Sequence, residues 1–386
     1  MIKLELLNMR LHILPDEKII NRTIVYFEKV WPLQNTYLVL LPKGKKTCKH
    51  IDPSISKNII VGDINSPQVI NVKNQITGYG SIIVHYLTSE AASLINHIEH
   101  NNIMWIEWGG DMYNSFLMRK GFTLYSDYNQ YLKFKFKFCP YWLAKILLKI
   151  KREYSFAIRY NAVKKIKYFI PDSMYGEYPL FLSYYPEFRH LKHRDFFYYP
   201  IQDIVGIDNL GRRAIGNSIF IGNSASETNN HIDAFKKIQE CHIMNDVIVP
   251  LSYGGCKKYT EFVLDSGNKI LGDKFKPITQ FLPLQEYNKY FYNASYFIYA
   301  NYRQEAVGNI LFAFYIGGKV FLRKSNPLYN FYKQLGLVLF SFEDISIDSF
   351  ESPLSDKEYL NNKRIIEETY SSQRLIELIK KSFPDE

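Results

Sequence analysis

The chain has 386 residues, 47% apolar and 22% charged, which is enough for two domains with substantial cores and excludes a disordered or fibrous protein. Its net charge of +10 is concentrated, because eleven Lys and Arg between Lys133 and Tyr168 stand against one acid, Glu153, and leave the remainder neutral. No run approaches the roughly 18 consecutive apolar residues of a membrane-spanning helix, and the charged start, Met-Ile-Lys-Leu-Glu-Leu-Leu, argues against an export signal.

In the first half, short apolar runs at Leu4–Leu7, Tyr37–Leu41, Ile59–Val61, Ile82–Tyr86, Ile103–Glu107 and Lys167–Ile170 predict strands. Stretches between them, such as 16–30 and 89–99, carry helical spacing. This alternation predicts an α/β domain with a mainly parallel sheet covered on both faces. Ligands then meet residues just beyond the strand ends, which singles out His85 and the segment Trp105-Ile-Glu-Trp-Gly-Gly-Asp-Met-Tyr113. Trp105 and Trp108 offer flat faces for a sugar ring, Gly109 allows close approach, and Asp111 is a candidate acceptor of a hydroxyl proton. The competing reading makes Gly-Gly-Asp a turn whose aspartate caps the next helix. His85 is either a second candidate base or a satisfied core histidine. Arg22 sits in a helical stretch, as solvated surface or as a contact for an anionic group.

The basic segment has two parts. Lys133-Phe-Lys-Phe-Lys-Phe138 alternates as a strand with a cationic and an aromatic face. After Pro140 a helix is predicted, with Trp142, Ile146 and Ile150 on one side and Lys145, Lys149 and Arg152 on another. Such a helix suits the headgroup region of an anionic membrane. Two other readings stand beside it: a stripe packed on the domain core, and basic residues interleaved with aromatics for nucleic acid. Four scattered cysteines, Cys48, Cys139, Cys241 and Cys256, make no disulfide framework or zinc ribbon and fit a reducing cytosol. His97/His100 and His190/His193 read as surface histidines without a third ligand.

A polar, glycine-rich stretch around 203–213 reads as a linker, dividing the chain into 1–205, 206–345 and a helical segment 346–386. A second α/β series follows, with strands expected at 218–222, 246–250, 268–271, 295–300, 319–322 and 337–340. Its first turn, Gly222-Asn-Ser-Ala-Ser226, leads to a helix opening at Asn229 or Asn230, an arrangement that suits a diphosphate through free N–H groups and the helix dipole. Three further loops should gather on the same sheet edge. They carry Tyr253, then Arg303, Gln304 and Glu305 before a helix start at Gly308 and Asn309, then Lys324 and Asn326. Arg303 and Lys324 suit phosphate charge, Glu305 suits hydroxyls, and the tyrosines suit a base or sugar face. No Asp-x-Asp pair presents itself for a metal, so cations and helix dipoles are expected to stabilise the departing diphosphate, without a cofactor.

At this point the chain resembles the bacterial 4-α-L-fucosyltransferase family, glycosyltransferase family 56. The resemblance rests on Asn21-Arg22-Thr23, Val84-His85, Trp105 with Trp108-Gly-x-Asp111, and Ile221-Gly-Asn-Ser224 followed by Asn-x-His231-Ile-x-Ala234. It continues through Val249-Pro250 with Tyr253, Tyr296-Phe-Ile-x-Ala300, Arg303-Gln304 with Gly308, and Asn326-Pro327. Ala306 stands where the family pattern has glycine. The resemblance implies a GT-B arrangement, two Rossmann-like domains facing a cleft, the first for acceptor and the second for donor. It implies a TDP-activated deoxyamino sugar such as 4-acetamido-4,6-dideoxygalactose as donor. The acceptor implied is a lipid-linked (polyprenyl-diphosphate) glycan at the cytoplasmic face of the bacterial inner membrane, with the enzyme held peripherally on the anionic surface. A UDP- or GDP-sugar transferase or epimerase is the alternative within the fold; nucleic-acid binding is the alternative outside it.

Overall fold

The computed structural model describes residues 6–127, 141–172, 174 and 176–384. The predicted Lys/Phe strand at 133–138 lies outside these residues. The chain forms two compact units, one of residues 1–122, 147–198 and 373–386, the other of residues 123–146 and 199–372.

The N-terminal unit carries an all-parallel sheet in the order β3-β2-β1-β4-β5-β6-β7. Its strands are β1 (Arg10–Leu14), β2 (Asn35–Leu41), β3 (Ile59–Asp63), β4 (Ser81–His85), β5 (Ile103–Glu107), β6 (Tyr168–Pro171) and β7 (Lys192–His193). The second unit repeats the plan as β10-β9-β8-β11-β12-β13. These strands are β8 (Ser218–Ile221), β9 (Val247–Pro250), β10 (Phe275–Ile278), β11 (Ala294–Tyr299), β12 (Lys319–Leu322) and β13 (Phe340–Ser341). In both sheets the order reverses beside the first strand, the doubly wound pattern that opens a crevice at the strand carboxyl ends.

Two expected strands fall elsewhere. Leu6–Asn8 is a single 3-10 turn, and the first strand is Arg10–Leu14, whose Arg10 and His12 are buried. Residues 268–271 end a helix, and the strand is Phe275–Ile278. Val263, Gly267 and Leu271 recur every four residues on the buried face of that helix. The strand tolerates Pro277 because β10 lies at the sheet edge, where a missing N–H breaks no internal ladder.

Helices cover both sheets. In the N-terminal unit these include α1 (Ile19–Val30), α2 (Pro67–Gln75), α3 (Ser89–Asn96), α4 (Tyr141–Lys165, which belongs to this unit from Leu147 onward) and α5 (Glu177–Tyr184). In α1, Ile20, Thr23, Ile24 and Phe27 form the buried stripe, each large apolar side chain contributing about 1.5–3 kcal/mol. The α4 helix is divided along its length. Its later part docks through buried Ala162 and Val163, with Arg159 donating from Nε to the Leu87 carbonyl at 2.6 Å. Its earlier part leaves Ile146, Leu147, Ile150 and Tyr154 exposed.

The second unit contains α6 (His231–Glu240), α7 (Lys257–Leu271), α8 (Leu284–Tyr292), α9 (Val307–Tyr315), α10 (Pro327–Gln334) and α11 (Asp356–Thr369), and α12 (Ser372–Ser382) then rejoins the N-terminal unit from Gln373 onward. Its core gathers Ile219, Ile221, Val249, Ile298 and Phe321 from the strands against Ala234, Phe235 and Val263 from the helices. No helix among the described residues is long and apolar enough to cross a membrane.

Candidate active site

In the N-terminal unit the loops after β4 and β5 are knotted together by Asp111. This carboxylate is fully buried; Oδ2 accepts from Leu87 N at 2.8 Å and Trp105 Nε1 at 2.7 Å, and Oδ1 from Trp108 N at 3.1 Å. Burial raises its carboxyl above the ordinary range, and the three N–H donors act against that shift. Trp105 is not a sugar platform. It lies wholly in the core, edge-on to Phe169 and Phe181, and presents its indole N–H to Asp111.

Gly109 adopts φ 87° and ψ −61°, a conformation open to glycine, and its N–H donates to Glu107. Glu107 is buried with Oε2 unpaired, and burial first, then the neighbouring acids Asp111 and Glu177, push its carboxyl well above the usual range. What this edge does offer to solvent is a pair of aromatics. Trp108 is half-buried, 5.6 Å between ring centres from the half-buried Tyr86, which closes β4 at φ 61°. A left-handed tyrosine is a costly conformation that the surroundings must enforce. His85 is fully buried and hydrogen-bonded on both ring nitrogens, to His12 and Tyr198, while Arg22 lies on the exposed side of α1.

In the second unit the loops after β8, β9 and β11 interlock. Gly222 turns at φ 66° with Asn229 tucked against it; a Cβ there would lie 2.6 Å from Asn229 Oδ1. Asn229 in turn accepts from Asn223 N at 3.2 Å. Gly255 lets the β9 loop touch the β8 loop, since its Cβ would sit 2.0 Å from the Ala225 carbonyl. Ala225 N donates to Tyr253 O at 2.7 Å, Gly222 N to Ile298 O at 3.0 Å and Ser226 N to Ser224 Oγ at 3.3 Å. The N–H groups of residues 222, 223, 225 and 226 are therefore already satisfied within the protein, unlike the open cradle expected from sequence. Nor does Asn230 cap α6 with its side chain. It takes a left-handed conformation and uses its amide to bind Leu124 O, Thr228 O and Ala300 O.

Glu305 is the centre of the polar cluster at this edge. Its Oε2 accepts from Thr228 Oγ1 at 2.6 Å and Asn301 Nδ2 at 3.0 Å, with Arg303 Nε at 3.4 Å. Ser226 Oγ lies 2.8 Å from the Thr228 hydroxyl, so Ser226, Thr228, Asn301, Arg303 and Glu305 form one network. Beside it begins α9, whose first N–H groups at Val307, Gly308 and Asn309 are those a helix leaves without intrahelical partners. A side chain added at Gly308 would meet nothing within 4 Å, so this helix start faces open space. Asn309 donates to the Tyr287 hydroxyl at 3.0 Å. Tyr253 is half-exposed near Asn223, its hydroxyl pushed upward by burial.

Three further predicted donor residues are placed as follows. Asn326 is buried, caps α10 and donates to Asn301 O and Arg303 O, bracing the loop from behind. Lys324 is exposed and paired with Asp344 at 2.8 Å. Gln304 is buried. Thr228 and Asn301 are not singled out by the sequence, although Thr228 lies two positions after the loop Gly222–Ser226 and Asn301 precedes Arg303 by two. Among the described residues no group of three His, Cys, Asp or Glu side chains is placed to hold a metal ion.

Ala306 caps α9 at φ 62°, ψ 25°, left-handed for a residue with a Cβ, where that strain costs roughly 1–2 kcal/mol. Ala306→Gly is expected to gain about 0.5–1 kcal/mol net, after the greater unfolded-state freedom of glycine. The check is a higher urea midpoint with unchanged slope.

The comparisons with known proteins agree with this architecture. The family model described as 4-alpha-L-fucosyltransferase glycosyl transferase group 56 matches residues 172–365. No curated protein matches the sequence. Among solved structures, Anabaena Alr3699/HepE in complex with UDP and glucose is similar at TM-score 0.59 and 11% identity, over 97% of this chain and 99% of that one. The sucrose-phosphate synthase of Thermosynechococcus elongatus follows at 0.59 and 8%, over 97% and 98%. A glycosyltransferase from Rickettsia africae ESF-5 gives 0.58 and 11%, over 97% and 98%. At these identities the likeness speaks for the fold, which is of the GT-B type with two Rossmann-like units.

Proposed function

We infer the reaction from a premise now in place: the chain belongs to the 4-alpha-L-fucosyltransferase family, glycosyl transferase group 56, and is a glycosyltransferase. The proposed donor is a TDP-activated deoxyamino sugar of the fucose-like kind. Its diphosphate is proposed to lie at the start of α9, where N–H groups without intrahelical partners and the positive end of the helix dipole meet open space beside Gly308. Arg303 adds the fixed positive charge, and the carboxylate of Glu305 is the group suited to sugar hydroxyls. The observation that carries this reading is the Glu305 network, which joins the loops after β8 and β11 at the switch point of the second sheet. No step needs a metal in this scheme, because the helix dipole and Arg303 stabilise the charge on the departing diphosphate.

The proposed acceptor is a polyprenyl-diphosphate-linked glycan at the inner face of a bacterial inner membrane. Two features support a membrane surface. The basic segment carries the whole net charge, and Ile146, Leu147, Ile150 and Tyr154 of α4 are exposed rather than packed on the core. Each basic residue near an anionic surface adds about 1 kcal/mol. On the N-terminal unit, Tyr86 and Trp108 provide the aromatic faces for the acceptor sugar. Asp111 contributes by fixing the loop that carries Trp108.

Thermal shift with TDP-, UDP- and GDP-sugars tests the donor. A TDP-sugar at about 100 times its Kd is expected to stabilise the folded protein by about 2.7 kcal/mol, a rise of some 2–4 °C in Tm. A shift with UDP-sugars alone would replace the nucleotide, in line with the UDP held by the similar Anabaena protein. No shift with any of the three would end the donor-site reading.

A further inference from the structure

We propose that Tyr198 and His85 are positioning residues that hold the Trp108 indole for the acceptor sugar through a one-way chain of hydrogen bonds running to Asn35. The proposal rests on Trp108 facing the acceptor, as read above. The links are buried except at the Trp108 end, which is partly buried. Trp108 Nε1 lies 2.5 Å from the Tyr198 hydroxyl, which lies 2.8 Å from His85 Nδ1. His85 Nε2 lies 3.0 Å from His12 Nδ1, and His12 Nε2 lies 3.2 Å from Asn35 Oδ1. His12, His85 and Asn35 are wholly buried and Tyr198 nearly so.

The far end fixes the direction, and the Trp108 end is compatible with it. The indole N–H of Trp108 can only donate, so the Tyr198 oxygen accepts from it, and the Tyr198 hydroxyl proton can be given to His85 Nδ1. At the far end, the Asn35 amide nitrogen donates to Trp31 O at 2.7 Å and Glu28 Oε1 at 3.2 Å. Turning that amide over would set its oxygen against two acceptors. Asn35 Oδ1 therefore faces His12 and accepts from its Nε2–H, leaving His12 Nδ1 to accept from His85 Nε2–H. Each proton has one place, and both histidines are neutral Nε2–H tautomers. Burial is the main cause that lowers His12 to about 3 and His85 well below its ordinary value. His85 has neither a free lone pair nor solvent access in this arrangement, so its contribution is orientation and not proton abstraction.

The rings restrain each other as well. Tyr198 stands edge-on to Trp108 at 5.2 Å and to Phe196 at 5.0 Å between centres, and His12 stands edge-on to Phe27 at 4.5 Å. Removing one hydroxyl from this chain leaves ring packing nearly intact while freeing Trp108 Nε1–H and His85 Nδ1 together. That makes Tyr198→Phe a clean probe.

The experiment combines nitrogen-15 NMR of the full chain with steady-state kinetics, using a TDP-sugar donor and a short-chain polyprenyl-diphosphate-linked disaccharide. Wild-type protein should show His12 and His85 as neutral Nε2–H tautomers at pH 7. In Tyr198→Phe the Trp108 indole signal, assigned by its loss in Trp108→Phe, should move and exchange faster. Acceptor KM should rise about tenfold while donor KM and slow donor hydrolysis by water stay within twofold. A merely structural role would shift donor and acceptor parameters together. An Nδ1–H or protonated His85 in the wild type would overturn the proposal. So would an unchanged acceptor KM in Tyr198→Phe when Trp108→Phe raises it. If Trp108→Phe itself leaves acceptor KM unchanged, the acceptor-face reading falls and the proposal with it.

Discussion

Replacing Asp111 by alanine is expected to destabilise the N-terminal unit by about 3–5 kcal/mol, because three buried donors lose their acceptor at once. Leu87 N, Trp105 Nε1 and Trp108 N all point at this one carboxylate. Each buried group left unpaired costs about 1–3 kcal/mol, and partial rescue by water limits the sum. Asp111→Asn should cost less, about 1–3 kcal/mol, since one carbonyl oxygen remains while an NH2 group turns against a donor. Turnover should fall with stability in both variants, as the loop bearing Trp108 loses its anchor. Paired measurements of melting temperature and kcat decide the role. A loss of about 10²-fold in kcat for Asp111→Asn at unchanged melting temperature would instead assign proton abstraction to the carboxylate.

Glu305→Gln is expected to reduce kcat/KM for transfer by about 10²–10³-fold, or about 2.7–4 kcal/mol of transition-state stabilisation. The carboxylate gathers Thr228, Asn301 and Arg303 around one oxygen. An amide in its place sets an NH2 group against donors or leaves an oxygen with no charge, and Arg303 loses its fixed counter-charge next to the α9 start. Global stability should change little, because the network sits at the sheet edge and the core beneath it is apolar. Steady-state kinetics with the donor varied, alongside a melting curve, give the answer. Activity within threefold of wild type would remove Glu305 from the donor site.

The repeated α/β plan was legible because most strands are continuous apolar runs, as a sheet buried on both faces requires. Where the reading failed, polar or unusual residues occupied strand positions. β1 carries Arg10 and His12, which do not read as core residues in sequence, and only the fold supplies Asn35 and His85 as partners for that histidine. β10 carries Pro277, which speaks against a strand interior, and the neighbouring 268–271 ends a helix in which Leu271 continues the face of Val263 and Gly267.

The site divides in the same way. The glycine turns at Gly109 and Gly222 and the helix start at Gly308 are visible as local signals. Tyr198 is not, lying 113 positions from the His85 it binds. Trp105 and Trp108 read alike from spacing, yet Trp105 lies within a strand buried at all five positions, whereas Trp108 follows its end at Glu107 and stands at the rim.

The terminal helix carries a consequence for biosynthesis. Phe383 packs edge-on to Phe27 and Phe196, its carbonyl receives Arg10 Nε at 3.2 Å, and the Ser382 carbonyl receives Arg194 at 2.5 Å. The lobe that leaves the ribosome first thus lacks part of its own interior until residues 382 and 383 have been added, after the whole of the other lobe. Translation order and order of completion are reversed, and a nascent chain must shelter an open hydrophobic seam around Phe27 and Phe196 for most of its synthesis.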